Sequence, residues 1–289
     1  MLIQKMSPAF RAKDICMNNF QIDLERCTQC GACVKSCQAE LLILDPCPTM
    51  LDNGLCILCG HCLAVCPTGA ISIGDNTPEQ SLPATVRRHP EDLKNLILSR
   101  RSMRHFKNKD VPLGIVDDLL NTAWNAPTGA NRGALQFSVL ADRAAMHKFR
   151  ALAYRKVAEN IKNPALQQHP AMPFMRHAVM TWADSKQDII FRGAPHAVIA
   201  SSLPGAATGA EDAIIALSYF ELYAQSLGLG TLWNGLLTWA VKDFAPCLQK
   251  SLGVEDGAQV HYAMVFGYPA LAYHRTVDRG PARIFRVNM

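Results

Sequence analysis

Residues 27–37 read Cys27-Thr28-Gln29-Cys30-Gly31-Ala32-Cys33-Val34-Lys35-Ser36-Cys37, and residues 56–66 read Cys56-Ile57-Leu58-Cys59-Gly60-His61-Cys62-Leu63-Ala64-Val65-Cys66. Eight of the eleven cysteines therefore fall in one C-x₂-C-x₂-C-x₃-C pattern used twice. Three thiolates at i+3 steps let one short loop wrap three corners of a cube, and this is the ligand run of [4Fe–4S] clusters. Structural zinc and disulfides are the weaker alternatives. Zinc prefers two CxxC pairs with a longer loop between them. Disulfides need an oxidising compartment, and the first twenty residues show no charged-then-apolar export signal. Gly31 and Gly60 occupy matching positions, where a missing β-carbon is expected to let the backbone approach inorganic sulfur.

The repeat extends beyond the ligands. Ile22-Asp23 matches Leu51-Asp52, and Leu41-Leu42 matches Ala70-Ile71. This resembles a bacterial two-cluster ferredoxin, a pseudo-two-fold unit of two strand pairs and two helical turns, here expected over residues 18–75. In such ferredoxins the fourth cysteine of each run serves the other cluster. The resemblance thus groups Cys27, Cys30 and Cys33 with Cys66, and Cys56, Cys59 and Cys62 with Cys37. So small a unit has little apolar content, and ligation is expected to supply much of its folding free energy. Cys66 is followed by Pro67 but Cys37 by Gln38, which leaves an extra backbone donor near one cluster. Cys16, Cys47 and Cys247 lie outside the pattern and read as small hydrophobes, with Cys47 a spare ligand at most.

A chain of 289 residues has room for a second, larger domain. Charge is unevenly shared: residues 20–75 carry a net −4, residues 1–19 +2, and the rest +7 of the overall +5. Spread over two hundred residues, that basic excess fits an anionic cofactor better than nucleic acid, and no nucleic-acid partner is expected. No apolar run approaches the ~20 residues of a spanning helix. The apolar region around 213–237 is broken by Glu221, Gln225 and several glycines. Cluster ligands without an export signal point to a reducing cytoplasm.

Residues 76–90 are punctuated by Thr77-Pro78, Leu82-Pro83 and His89-Pro90 and read as a linker, leaving 91–289 for the larger domain. Helices are expected from Pro90 to Arg100, over Ile115–Asn125, Ala144–Asn160 and Ala210–Leu227, the last opening beside Glu211 and Asp212 and stopping at Gly228. Strands are expected over Gln136–Ala141, Ala197–Ser201 and Gln259–Phe266. The order is mixed α+β without regular βαβ repetition.

Three segments of this domain resemble the FMN-dependent nitroreductase family. Ser99-Arg100-Arg101-Ser102-Met103-Arg104 resembles its R-x-S-x-R/K segment, which implies that Arg100, Arg101, Ser102 and Arg104 grip the FMN phosphate and ribityl chain. Guanidinium groups suit that task because they offer paired charged donors. Ala126-Pro127-Thr128-Gly129-Ala130-Asn131 resembles a loop that reaches flavin across a dimer interface, assigning Pro127, Thr128, Gly129 and Asn131 to the cofactor. Leu227-Gly228-Leu229-Gly230-Thr231-Leu232-Trp233 resembles the family's G-[LI]-G-T-x-W helix end. It implies that Leu229, Gly230 and Thr231 border the flavin, with a backbone amide toward N5 and glycine keeping the approach open. It is not a Rossmann fingerprint, since it follows a helix. Arg279-Gly280-Pro281 resembles a late return to the phosphate; where the family carries a lysine this chain has Val277, so either Arg275 substitutes or that contact is missing. Gln187, with Lys186 and Arg192, is expected near the flavin edge. Tyr154–Arg192 is expected to form a variable cover that chooses the substrate through Tyr154, His169, Met172, Phe174, Met175, His177 and Trp182, although core packing is the competing reading for such side chains.

Together these resemblances imply a ferredoxin–nitroreductase fusion: an α+β homodimer in which two [4Fe–4S] clusters pass single electrons from a ferredoxin or other low-potential donor to FMN. FMN then reduces a small nitroaromatic, quinone or enone-like acceptor. No protein residue is expected to act as nucleophile, since the chemistry belongs to FMN N5. An electron-transfer or redox-sensing protein and a reductive dehalogenase are the alternatives. Direct use of NAD(P)H stays open.

Overall fold

A computed structural model describes residues 20–51, 56–81 and 89–289. Cys16, Asp52 and the Leu82-Pro83 pair lie outside the described residues. The chain divides into two compact units, Met1–Arg87 with Ala130–Arg132, and Arg88–Gly129 with Gly133–Met289.

The first unit contains β1 (Phe20–Ile22), α1 (Ala32–Ser36), β2 (Leu42–Leu44), β3 (Pro48–Met50), α2 (His61–Ala64) and β4 (Ile71–Ile73). β1 pairs antiparallel with β4, and β2 with β3, giving the expected two strand pairs and two helical turns. The cysteine loops repeat in backbone conformation as well as sequence. Gln29 and Leu58 both have positive φ (56° and 52°), and Gly31 and Gly60 follow at 70° and 72°. An added Cβ at Gly60 would meet nothing within 4 Å. The left-handed backbone by itself calls for glycine there. Among the described residues, Cys33, Leu42, Cys62, Ile71 and Ile73 form a buried apolar cluster in this unit, and two of them belong to the cysteine runs.

The second unit contains α3 (Pro90–Ser99), α4 (Leu113–Ala123), β5 (Leu135–Leu140), α5 (Arg143–Asn160), α6 (Met172–Ser185), β6 (His196–Ser202), α7 (Gly209–Ser226), β7 (Gly230–Trp233), α8 (Gly235–Trp239), α9 (Leu248–Ser251) and β8 (Gln259–Gly267), with a π-helical turn at Ala240–Phe244. The four strands form an antiparallel sheet in the order β5-β6-β8-β7. β6 is buried along its whole length, so its alternating side chains feed two cores. Val198 and Ala200 pack with α4 and α7, through Leu119, Ala216, Leu217 and Phe220. Ala197 and Ile199 pack with α5, α6 and α8, through Phe149, Met175 and Leu237. Among the described residues, no helix is long and apolar enough to cross a membrane.

β6 opens on His196, which is fully buried; its Nε2 accepts from Val111 N at 2.9 Å and its ring stacks on Phe266. Burial pushes its pKa below the ordinary 6.5, against the opposing pull of nearby carbonyls and Asp110. The folded state thus holds a neutral ring that the unfolded chain would protonate. Stability is fully present above about pH 6.5 and falls below it, by up to about 1.4 kcal/mol per pH unit for this one proton. Urea midpoints measured from pH 7.5 to 5 should show this loss, and His196→Gln should flatten the slope between pH 6.5 and 5. An unchanged slope in the variant would assign the acid sensitivity elsewhere.

Candidate functional site

The first unit gathers the thiols. A cavity is lined by Cys27, Cys30, Cys33 and Cys66 together with Thr28, Gln29, Gly31 and Pro48. Those four cysteines are the mixed set that the ferredoxin resemblance groups, three from the first run and the last from the second. They surround a space instead of converging on one point, and among the described residues no three His, Cys, Asp or Glu side chains are gathered to hold a single ion. Backbone amides already aim at the sulfurs. Ala70 N donates to Cys66 Sγ at 3.2 Å and Leu41 N to Cys37 Sγ at 3.4 Å, the same i+4 contact in both halves whether or not proline follows the cysteine. Gln29 N donates to Cys27 Sγ at 3.4 Å. Such donors stabilise thiolate ligands.

Burial pushes the Cys33 thiol up and the Cys62 thiol to about 11. Burial also raises Cys66, but the Ala70 amide and Thr68 hydroxyl outweigh it and leave that thiol below its usual value. Cys62 is buried, and Cys37 and Cys56 pack against the same small core; Cys59 is partly exposed. Cys47 lies beside the loops, its Sγ accepting from Gln29 Nε2 at 3.5 Å. Cys247 is exposed, contrary to its reading as a buried hydrophobe. The cavity, its four thiols and the amide donors fit an iron–sulfur cluster.

In the second unit two of the three cofactor-like segments lie side by side. Ser102 bridges Thr231, and Met103 N donates to Thr231 O at 2.8 Å, so the 100–104 segment runs along the outer edge of β7. Gly230 makes this approach possible: an added Cβ would lie 2.7 Å from both Cβ and Cγ of Met103. Arg101 donates through Nη1 to Arg100 O and Leu98 O, while its Nη2 is buried with no hydrogen-bond partner among the described residues. A buried, unspent guanidinium donor is costly unless an anion receives it. That orphan, on a segment seated against Gly230–Thr231, fits a phosphate-bearing cofactor.

Other expected contacts are placed differently. Arg100 is taken up by an ion pair with Glu221, Nη1 to Oε1 at 3.2 Å. Thr231 is 1% exposed, and its hydroxyl donates to the same carboxylate, while Leu229 is buried in the core. Neither side chain is free to face a cofactor. Arg104 is exposed and touches only the Ser102 carbonyl, at 3.4 Å. Thr128 Oγ1 accepts from Gly133 N, and Gly129 N donates to Asp212 at 3.2 Å. Asn131 groups with the first unit, both donor contacts of its amide going to Ile57 O and Leu58 O. Pro127, Gln187, Arg275 and Arg279 are exposed, the last two on a C-terminal run without secondary structure.

Part of the expected substrate cover is core. Tyr154, Met172 and Met175 are buried, and Tyr154 stacks on Trp182 while its hydroxyl binds Asp188 and the amides of Ile189 and Ile190. His169 pairs with Asp243 at 3.4 Å. Of the named set, Phe174 and His177 are exposed on α6. Sequence reasoning missed Glu221 and the loop role of Asp212. Glu221 carried a signal: a carboxylate inside an apolar helix face must find donors.

The nitroreductase family matches residues 97–268, and a 4Fe-4S dicluster domain matches residues 26–71. The chain belongs to the nitroreductase family. It joins a domain of that family to a cluster-binding domain. A nitroreductase with bound FMN from Bacteroides fragilis has the same fold as the larger unit, at 22% identity and a TM-score of 0.54, covering 68% of this chain and 99% of that one. A nitroreductase with bound FMN from Desulfitobacterium hafniense is similar at 21% identity and a TM-score of 0.52, covering 68% and 98%. Human iodotyrosine deiodinase 1 is 34% identical over 62 residues, so the nitroreductase-family chain spans only 22% of that protein's length.

Proposed function

We propose that this protein reduces a small electrophilic acceptor, such as a nitroaromatic, quinone or enone, with electrons that enter from a low-potential, ferredoxin-type donor through two [4Fe–4S] clusters. The observation that carries this reading is the cavity lined by Cys27, Cys30, Cys33 and Cys66 in a chain whose larger unit belongs to the nitroreductase family. FMN, when bound, supplies the exchange between one-electron and hydride chemistry. The chain's own residues anchor and shield. Arg101 offers its buried Nη2 to the phosphate, and Arg104 adds positive charge at the exposed end of the same segment. Asp212 holds Gly129 in place, which orders the Pro127–Gly129 turn.

The division of labour follows the domains: 18–75 for clusters, 76–90 as connection, 91–289 for flavin. A homodimer is supported by α3, which buries no side chain and leaves Leu93, Ile97 and Leu98 about half exposed, an apolar face that a second copy would cover. Air-sensitive clusters favour a reducing cytoplasm. The stretch shared with iodotyrosine deiodinase 1 favours a dehalogenating variant as the second reading.

Anaerobic stopped-flow with reduced ferredoxin tests the proposal. The flavin should be reduced through the clusters and reoxidised by at least one member of a panel of nitroaromatics, quinones, enones and halophenols. Turnover with halophenols alone would select the dehalogenating variant. Reduction without reoxidation by any acceptor would replace the enzyme with an electron relay.

A further inference from the structure

Glu221 lies on α7, between the buried Phe220 and Ala224, and is itself 7% exposed. An aliphatic side chain would suit that position; a carboxylate there must be repaid in hydrogen bonds. Its Oε1 accepts from Arg100 Nη1 and Thr231 Oγ1, both at 3.2 Å, and its Oε2 accepts from Trp233 Nε1 at 2.9 Å. The three donors come from two segments, the end of α3 and strand β7. These are the same two segments that meet at the Ser102–Thr231 bridge and the Met103–Thr231 hydrogen bond. One carboxylate thus ties the helix, the phosphate-like segment and the edge strand together.

We propose that Glu221 is a positioning residue of the cofactor site: a clamp that locks Arg100 to β7 with its charge cancelled, and so lowers the potential of the bound flavin relative to a site with a free Arg100. The proposal rests on the FMN reading above. Paired with Glu221, Arg100 braces the chain and contributes little net field, and Arg101 is left as the phosphate donor. In a site of low dielectric, a fixed negative charge opposes the arrival of electrons and a fixed positive charge favours it. Removing either partner alone should therefore move the flavin potential in opposite directions, which a purely structural contact would not do.

The test is a double-mutant cycle on the holoprotein, read as the midpoint potential of bound FMN by anaerobic spectroelectrochemistry. Glu221→Gln keeps an acceptor for Trp233 and should shift the potential positive. Arg100→Gln should shift it negative, and the double variant should return most of the way to the parent value. The ratio of FMN to riboflavin affinity should fall roughly tenfold or more in Arg101→Ala, since only FMN carries the charged acceptor, and change far less in the double variant. If a single variant does not fold, Glu221→Asp takes its place: charge retained at shorter reach should leave the potential near the parent value. Single shifts of the same sign, or none, or an Arg101→Ala ratio equal to the parent's, would overturn the clamp. Parent protein that takes up no FMN would instead remove the reading beneath it.

Discussion

Cys66→Ala should remove about half of the protein's iron and acid-labile sulfide, from roughly eight of each to roughly four, and should abolish flavin reduction by an electron-transfer donor. Cys66 closes the cavity from a distance: Cys27, Cys30 and Cys33 come from one loop, and this fourth thiol arrives from the end of the second run. Its sulfur is also the best prepared, with the Ala70 amide at 3.2 Å and Thr68 Oγ1 at 3.7 Å. Alanine leaves three thiols and an open corner. So small a unit, with two cysteines of the runs inside its described apolar cluster, depends on ligation as well as packing. The loss should therefore weaken the first unit, seen as a lower melting temperature there while the second unit melts as before. Iron and sulfide quantitation on anaerobically purified protein checks the first part, and stopped-flow reduction the second. A Cys66→Ala protein with full iron and sulfide and an undiminished reduction rate would show that Cys66 is no ligand.

The ligand pattern was legible because cluster chemistry fixes both residue type and spacing. Four helices and three strands of the larger unit were legible from their apolar periodicity, whereas α6, α8 and α9 were not expected. Gln259–Gly267 and Arg143–Asn160 depart from expectation by one residue each. β7 was not legible: Gly230–Trp233 is four residues, opens on glycine, and its pairing with β8 is set by distant Phe266 and Gly267. The 154–192 segment left both readings open for a different reason. Tyr154, Met172 and Met175 have the chemistry of a pocket lining, and only packing, through the Tyr154–Trp182 stack and the Asp188 contact, makes them core. The arginine run shows the same limit. Sequence offers Arg100 and Arg101 as equals, while the fold gives Arg100 a buried partner 121 positions away and leaves a donor of Arg101 unspent.

Gly230→Ala should destabilise the flavin-free protein by about 1–3 kcal/mol, the usual cost of forcing a methyl group into a packed site. Two explanations of this glycine compete. The family resemblance has it keep the backbone open to flavin, in which case alanine would leave the flavin-free protein as stable as before and weaken only FMN. The structure has a β-carbon there 2.7 Å from Met103 Cβ and Cγ, with Met103 buried and its amide bound to Thr231 O at 2.8 Å. Neither backbone can retreat without breaking that hydrogen bond and the Ser102–Thr231 bridge. Alanine should therefore push the 100–104 segment off the edge of β7 whether or not flavin is present, and FMN affinity should fall because Arg101 is displaced with it. Urea denaturation of flavin-free parent and variant separates the two explanations. Equal midpoints with weakened FMN binding would return the glycine to the flavin, and a lowered midpoint assigns it to the contact that holds the phosphate-like segment in place.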